Sequence, residues 1–122
     1  MTIVTVDLAE RPYDIHIEAG LLNTIASFLA PYARSGRFLV VTDEHVAVHV
    51  WPKLQALLTT ANLTTTAYIL PSGEAGKSWM QLERLTDWLL ENHVERSDHI
   101  VALGGGVVGD ITGFAAHVVK RG

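Results

Sequence analysis

The first third of the chain changes from a strand-like to a helix-like spacing of apolar residues. Apolar and polar residues alternate over 3–8 and 13–17, which is the period of a β-strand. Glu10-Arg11-Pro12 interrupts the alternation and predicts a turn, so the two segments predict an N-terminal β-hairpin. A helical spacing starts at Gly20 and ends within 31–36; its apolar face consists of Leu22, Ile25 and Leu29.

From residue 38 onwards, short apolar runs alternate with helical patterns. Phe38–Val41 is continuously apolar, as expected for a parallel strand that is buried on both faces. A helical region follows to about Thr60, and Pro52 inside it predicts either a kink or a second helix that starts there. The inner face of this region is predicted to comprise Leu54, Leu57 and Leu58.

A second strand and helix precede the last strand of the series. The strand is predicted at Thr65–Leu70, and Ser78-Trp-Met-Gln81 fits a capping box that begins a helix. The predicted inner face of that helix comprises Leu82, Leu85 and Leu89, and a strand follows at 100–103. The alternation predicts a single α/β domain over 1–122: a Rossmann-like, mostly parallel sheet flanked by helices, with the N-terminal β-hairpin in front.

Three unusual turns each follow the carboxyl end of a predicted parallel strand. They are Asp43-Glu44, the segment from Ser72 to Lys77, and the segment from Gly104 to Asp110. Because the carboxyl ends of parallel strands lie along one edge of an open α/β sheet, the three turns are expected to border one crevice. Ligands bind at that edge, so the sequence predicts a binding site there.

The last turn is rich in glycine and opens a predicted helix. Gly104, Gly106 and Gly109 satisfy the spacing G-x-G-x-x-G, which allows a tight turn with positive φ and brings a phosphate close to backbone N–H groups. The alternative is a helix that simply packs closely after a buried strand. Gly109 and Gly113 lie four residues apart and predict a flat helix face that packs closely on the sheet.

Three charged residues in these turns each allow two interpretations. Asp43 is placed to hydrogen-bond a ribose hydroxyl, or to cap the next helix in an Asx turn. Lys77 can supply a positive charge to a phosphate, or can be an ordinary solvated lysine. Asp110, expected in the first helical turn, either offsets the positive end of the helix dipole or faces the ligand, and the two roles are compatible.

Composition narrows the class of protein. The chain has 122 residues, a net charge of −4 and no cysteine, and its nine Lys and Arg are scattered. These features argue against nucleic acid as the main partner and against thiolate metal sites, and no apolar run approaches membrane-spanning length. We therefore expect a cytoplasmic protein without a membrane partner.

His45 and His49 are four residues apart, but no glutamate lies between them, and a polar surface pair is favoured over a metal role.

The order of the motifs differs from that of ordinary dehydrogenases, because the acidic strand end precedes the glycines. This order of motifs resembles that of the N-terminal domain of the 3-dehydroquinate synthase family. The matching segments are Val41-Thr-Asp-Glu44, Pro71-Ser-Gly-Glu-Ala-Gly-Lys77 and Leu103–Ala116, followed by Arg121-Gly122. The resemblance implies an NAD-binding domain and assigns Arg121 to substrate phosphate. The cofactor contacts that it implies are Asp43, Ser72, Gly73, Glu74, Ala75, Gly76, Lys77, Gly105, Gly106, Val107, Val108, Gly109 and Asp110.

The resemblance also implies an activity for the full-length enzyme. Members of the family convert 3-deoxy-D-arabino-heptulosonate 7-phosphate, a sugar-acid phosphate, to 3-dehydroquinate and phosphate in the shikimate pathway of aromatic amino acid biosynthesis. They use NAD and a zinc or cobalt ion, whose ligands lie in a following domain that this chain lacks, and full-length members are expected to be homodimers. This chain alone is therefore expected to be inactive, with no catalytic or metal-binding residues of its own. Related sugar-phosphate cyclases and a free-standing, non-catalytic nucleotide-binding module remain the alternatives.

Overall fold

A computed structural model describes residues 2–7, 13–33 and 35–120. Its strands are β1 (Thr2–Val6), β2 (Tyr13–Ile17), β3 (Arg37–Asp43), β4 (Thr64–Leu70) and β5 (Ile100–Leu103). Its α-helices are α1 (Ile25–Leu29), α2 (Glu44–His49), α3 (Trp51–Thr60), α4 (Trp79–Glu91) and α5 (Gly106–Lys120). Short 3₁₀ turns span Leu21–Thr24, Ala30–Tyr32 and Gly73–Gly76.

The strands form two sheets, as the sequence predicts. β1 and β2 pair antiparallel as a separate hairpin, whose expected turn at 10–12 lies outside the described residues. The other three strands form a parallel sheet in the order β4-β3-β5, with Asp43 opposite Leu70 and Thr42 opposite Leu103. The α/β fold with parallel strands, flanking helices and an N-terminal hairpin is confirmed.

The central strand β3 carries the core on both of its faces. Phe38 and Val40 pack with Leu54 and Leu58 of α3 on one side. Leu39 and Val41 pack on the other side with α4 and α5. Successive side chains of a strand point to opposite faces, so a strand covered by helices on both sides is apolar at consecutive positions. This burial accounts for the uninterrupted run that marked β3 in the sequence.

Two helical predictions are refined by the structure. The helical region after β3 is interrupted at Val50, and α3 starts at Trp51 with Pro52 in its first turn, which selects the second-helix alternative. Leu57 is only half-buried, whereas Leu54 and Leu58 are buried. The helix predicted from Gly20 is short: α1 has five residues and lies between two 3₁₀ turns. Pro31 ends it, because proline lacks the N–H that a longer α-helix needs. No helix in the described ranges has the length and apolar character required to cross a bilayer.

Candidate functional site

The three predicted turns lie at the carboxyl edge of the parallel sheet. They follow Asp43 of β3, Leu70 of β4 and Leu103 of β5. The chain leaves β3 towards the face covered by α3, and leaves β5 towards the opposite face, covered by α5. Two adjacent parallel strands whose following helices lie on opposite faces form the crevice at which α/β proteins bind ligands.

Asp43 caps the helix that follows it. Its Oδ1 accepts a hydrogen bond of 2.8 Å from the backbone N–H of Val46, and the residue is the N-cap of α2. The helix-capping interpretation of Asp43 is therefore correct. Within the described part of the chain, Oδ2 accepts no hydrogen bond, so the same carboxylate keeps an acceptor for a ligand.

The turn after β4 is held to the start of α2 by two hydrogen bonds. The backbone N–H of Ser72 donates to Glu44 Oε1 at 3.1 Å, and the backbone N–H of His45 donates to Ser72 Oγ at 3.2 Å. These bonds fix Ser72 beside Asp43, so two of the three predicted segments meet in the structure. Sequence reasoning did not assign Glu44 a role, because nothing in its spacing indicates which backbone N–H it reaches.

The segment 73–77 forms one 3₁₀ turn and then leads into α4. Gly73 has a φ of 70°, a left-handed conformation that favours glycine, and Ser78 caps α4 through a hydrogen bond to the N–H of Gln81, as predicted. Lys77 Nζ lies 3.4 Å from Asp110 Oδ2, which joins this segment to α5. The side chain of Glu74 and the whole of Arg121 lie outside what the structure describes, so their expected contacts remain predictions.

The glycine turn leads directly into α5, with its backbone uncovered. The helix begins at Gly106, and a Cβ built at Gly105 or Gly106 would meet no atom within 4 Å. Gly104 is different, because its Cβ would lie 2.8 Å from Val108 Cγ2. Gly105 and Gly106 do not have positive φ, so the turn does not need glycine there for its backbone conformation. Open space at these two residues is what an approaching phosphate requires.

Two predictions about α5 are wrong. Asp110 is not in the first helical turn: the helix begins at Gly106, and the N–H of Gly109 already bonds to the carbonyl of Gly105. Its carboxylate pairs with Lys77 and has little influence on the helix dipole, whose effect falls off after one turn. The face formed by Gly109 and Gly113 does not pack closely on the sheet, because a Cβ at either position would meet nothing within 4 Å.

Comparison with known proteins shows what the chain is similar to. The family model described as 3-dehydroquinate synthase N-terminal matches residues 67–122. Over 119 residues, the chain is 49% identical to a 3-dehydroquinate synthase of Zymomonas mobilis subsp. mobilis and 45% identical to one of Jannaschia sp. (strain CCS1). Both comparisons show that the chain is similar to the N-terminal part of 3-dehydroquinate synthases. These alignments cover 98% of the chain and 31% and 32% of the two relatives, so the chain spans about a third of the length of the curated relatives it matches.

Solved structures share the fold. A 2-epi-5-epi-valiolone synthase from Streptomyces hygroscopicus subsp. jinggangensis 5008, with NAD+ and Zn2+ bound, superposes with a TM-score of 0.78 at 28% identity. That comparison covers 95% of this chain and 32% of the other. A 2-deoxy-scyllo-inosose synthase complexed with carbaglucose-6-phosphate, NAD+ and Co2+ gives 0.81 at 20% identity, covering 99% and 33% of the two chains. At that identity the likeness concerns the fold alone.

The structure adds a site residue that the sequence analysis overlooked. Thr42 is fully buried, and its Oγ1 donates a hydrogen bond of 2.8 Å to the carbonyl of Leu103, immediately before the glycine turn. The sequence did contain a signal for this bond: Thr42 is a hydroxyl residue at the end of an apolar strand. A hydroxyl buried there must form a hydrogen bond. Val108, expected to contact the cofactor, has its side chain in the core, so only its backbone can serve a ligand.

An apolar groove lies beside the Lys77–Asp110 ion pair. Its walls include Trp79 and Phe114, whose ring centroids are 6.4 Å apart in an edge-to-face arrangement. Trp79 is 80% exposed, although it lies in the first turn of α4.

Among residues 2–7, 13–33 and 35–120, no three His, Cys, Asp or Glu side chains are grouped as a metal site.

Proposed function

We propose that this chain is the NAD-binding part of a 3-dehydroquinate synthase, which converts 3-deoxy-D-arabino-heptulosonate 7-phosphate to 3-dehydroquinate and phosphate. The observation that carries the proposal is the uncovered glycine turn at the N-terminus of the 15-residue helix α5, at the sheet edge where Ser72 is bonded to the start of α2. Identities of 45–49% to enzymes named 3-dehydroquinate synthase favour this activity over that of the related cyclases.

The described residues fit a dinucleotide. Gly105 and Gly106 are exposed, and the open space where a Cβ would lie lets the pyrophosphate approach their backbone at the start of α5. A helix N-terminus attracts negative charge. Asp43 Oδ2 is available to accept a hydrogen bond from a ribose hydroxyl. Lys77 lies at the same edge, and its charge can move from Asp110 to a phosphate because both side chains are exposed.

Bound NAD would supply a reversible hydride acceptor for a ring hydroxyl of the substrate. The part of this chain is to bind and orient the cofactor: Gly105 to Asp110 along the pyrophosphate and nicotinamide side, and the segment 72–77 with Asp43 along the adenosine side. We further propose that Arg121 binds substrate phosphate, and that a zinc or cobalt ion is held by residues outside this chain. In its full-length form the protein is proposed to be a cytoplasmic homodimer with no nucleic-acid or membrane partner.

Calorimetric titration with NAD tests the cofactor site. Gly106→Asp places a carboxylate where the pyrophosphate is proposed to lie, and Gly106→Asn is a neutral control of nearly the same size. Because a Cβ at this position meets no atom within 4 Å, both variants are expected to fold. We expect NAD to bind the parent, to bind Gly106→Asn more weakly, and not to bind Gly106→Asp. Equal binding by all three proteins, or none by the parent at millimolar NAD, would contradict the assignment for this chain.

A chimaera tests the activity. The chain replaces the matching N-terminal third of the Zymomonas mobilis enzyme, and phosphate release from 3-deoxy-D-arabino-heptulosonate 7-phosphate is measured. We expect phosphate release by the chimaera and its loss when Gly106→Asp is introduced. A folded chimaera that binds NAD without releasing phosphate would favour one of the related cyclases instead.

A further inference from the structure

Two histidine side chains on α2 are arranged side by side. His45 and His49 are four residues apart, so they lie on one face of the helix, and both are exposed. Their ring centroids are 4.6 Å apart, and the ring planes are inclined by 52°. The sequence alone favours a polar surface pair, and the spacing and tilt of the rings are what the structure adds.

This spacing is compatible with two imidazoles that share one metal ion. Ligand nitrogens lie about 2.0–2.1 Å from a bound Zn²⁺, which places the centroids of two tetrahedrally arranged rings about 5 Å apart. The observed 4.6 Å requires only a small adjustment of exposed side chains. The two rings therefore already lie at the distance that a shared ion requires, on one face of the helix.

We propose that His45 and His49 form a two-histidine surface site for a divalent transition-metal ion. The neighbouring carboxylates each have one oxygen in a hydrogen bond: Asp43 Oδ1 accepts from the N–H of Val46, and Glu44 Oε1 accepts from that of Ser72. The proposed ligand set consists of two imidazole nitrogens, one from each histidine, and water molecules. Imidazole ligands favour Cu²⁺ over Ni²⁺ and Zn²⁺, and have little affinity for Mg²⁺. The proposal does not depend on NAD binding.

Calorimetric titration with Cu²⁺, Ni²⁺ and Mg²⁺ tests the site on the untagged chain. The variants are His45→Gln and His49→Gln, and His117→Gln is the matched control because His117 is an exposed histidine on α5. The backbone N–H of His45 that bonds to Ser72 is kept in every variant. Far-UV circular dichroism checks that all proteins are folded.

We expect one Cu²⁺ or Ni²⁺ per chain and no binding of Mg²⁺. Either substitution in α2 should weaken binding at least about tenfold, because the second ligand of a chelate acts at a high effective concentration. His117→Gln should bind like the parent. A melting temperature raised by Ni²⁺ in the parent but not in His49→Gln would give independent support. Absence of binding, or binding that survives both α2 substitutions, would overturn the proposal.

Discussion

Gly104 is the residue at which a single added carbon is expected to be most damaging. A Cβ there would lie 2.8 Å from Val108 Cγ2 and 3.1 Å from Val108 Cβ. Val108 is 1% exposed and packs in the core formed by β3, α4 and α5, so it has no room to move away. Gly104 also has a φ of 159°, which residues with side chains rarely adopt, so a double variant is needed to isolate the contact. Gly106, two residues further on, is a control for added size alone, because it has no positive φ and an added Cβ meets nothing within 4 Å.

The size of the effect follows from this packing. A β-branched side chain in a helix has one strongly preferred rotamer, so Val108 cannot relieve the overlap by rotating. Forcing an extra carbon into a packed core costs about 1–3 kcal/mol. Gly104→Ala is therefore expected to lower the free energy of unfolding by that amount. Gly106→Ala should leave it unchanged or raise it by up to about 1 kcal/mol, because alanine is the better helix former.

Urea unfolding followed by circular dichroism measures both variants, and a double variant identifies the contact. Val108→Ala removes the γ carbons, including the one that lies 2.8 Å from the built Cβ. Gly104→Ala combined with Val108→Ala should therefore cost less than the sum of the two single substitutions. Equal effects of Gly104→Ala and Gly106→Ala, or strict additivity in the double variant, would refute the reasoning.

Three further predictions concern other contacts. Glu44→Ala removes the acceptor for the N–H of Ser72 and is expected to weaken NAD binding about fivefold, measured by calorimetry. Glu44→Gln is the control: it keeps an acceptor oxygen and should bind NAD nearly as well as the parent. Arg37→Met removes hydrogen bonds to Asp98 and two backbone carbonyls and should lower the free energy of unfolding in urea by about 2–3 kcal/mol, while Arg37→Lys should lose less. Gly113→Ala, at an uncrowded position inside a helix, should raise the melting temperature; a decrease would restore the close-packing interpretation of that face.

Features that depend on strand and helix periods were predictable from the sequence. The apolar run at Phe38–Val41 marked the central strand because burial on both faces makes consecutive positions apolar. The capping box at Ser78 placed the start of α4 correctly, because its hydrogen bond joins residues only three apart. Such local rules also placed the three turns at one sheet edge, because parallel strands end on the same side.

Features that depend on distances between segments were not predictable. The spacing of Gly109 and Gly113 indicates a smooth helix face, but only the position of the sheet decides whether that face is covered, and it is not. The partner of Lys77 is a residue 33 positions away, and no local pattern selects it. The residue at which α5 starts also depends on tertiary contacts. Because α5 starts at Gly106, Asp110 is its fifth residue and lies one residue beyond the first turn, in which the sequence predicts it.

The candidate site is held by three consecutive residues where β3 ends and α2 begins, each joined to a different part of the crevice. Thr42 bonds to the carbonyl before the glycine turn, Asp43 caps α2, and Glu44 holds Ser72 in the turn after β4. Thr42 is buried, whereas the side chains of the Lys77–Asp110 pair are both more than half exposed, and that pair contributes about 0–1 kcal/mol. The fixed part of the crevice is therefore the end of β3, and the Lys77 side is the part that can rearrange at little cost to reach the proposed phosphate. A fixed β3 end beside a movable Lys77 suits the proposed site, because the backbone donors stay in place while Lys77 exchanges Asp110 for a phosphate.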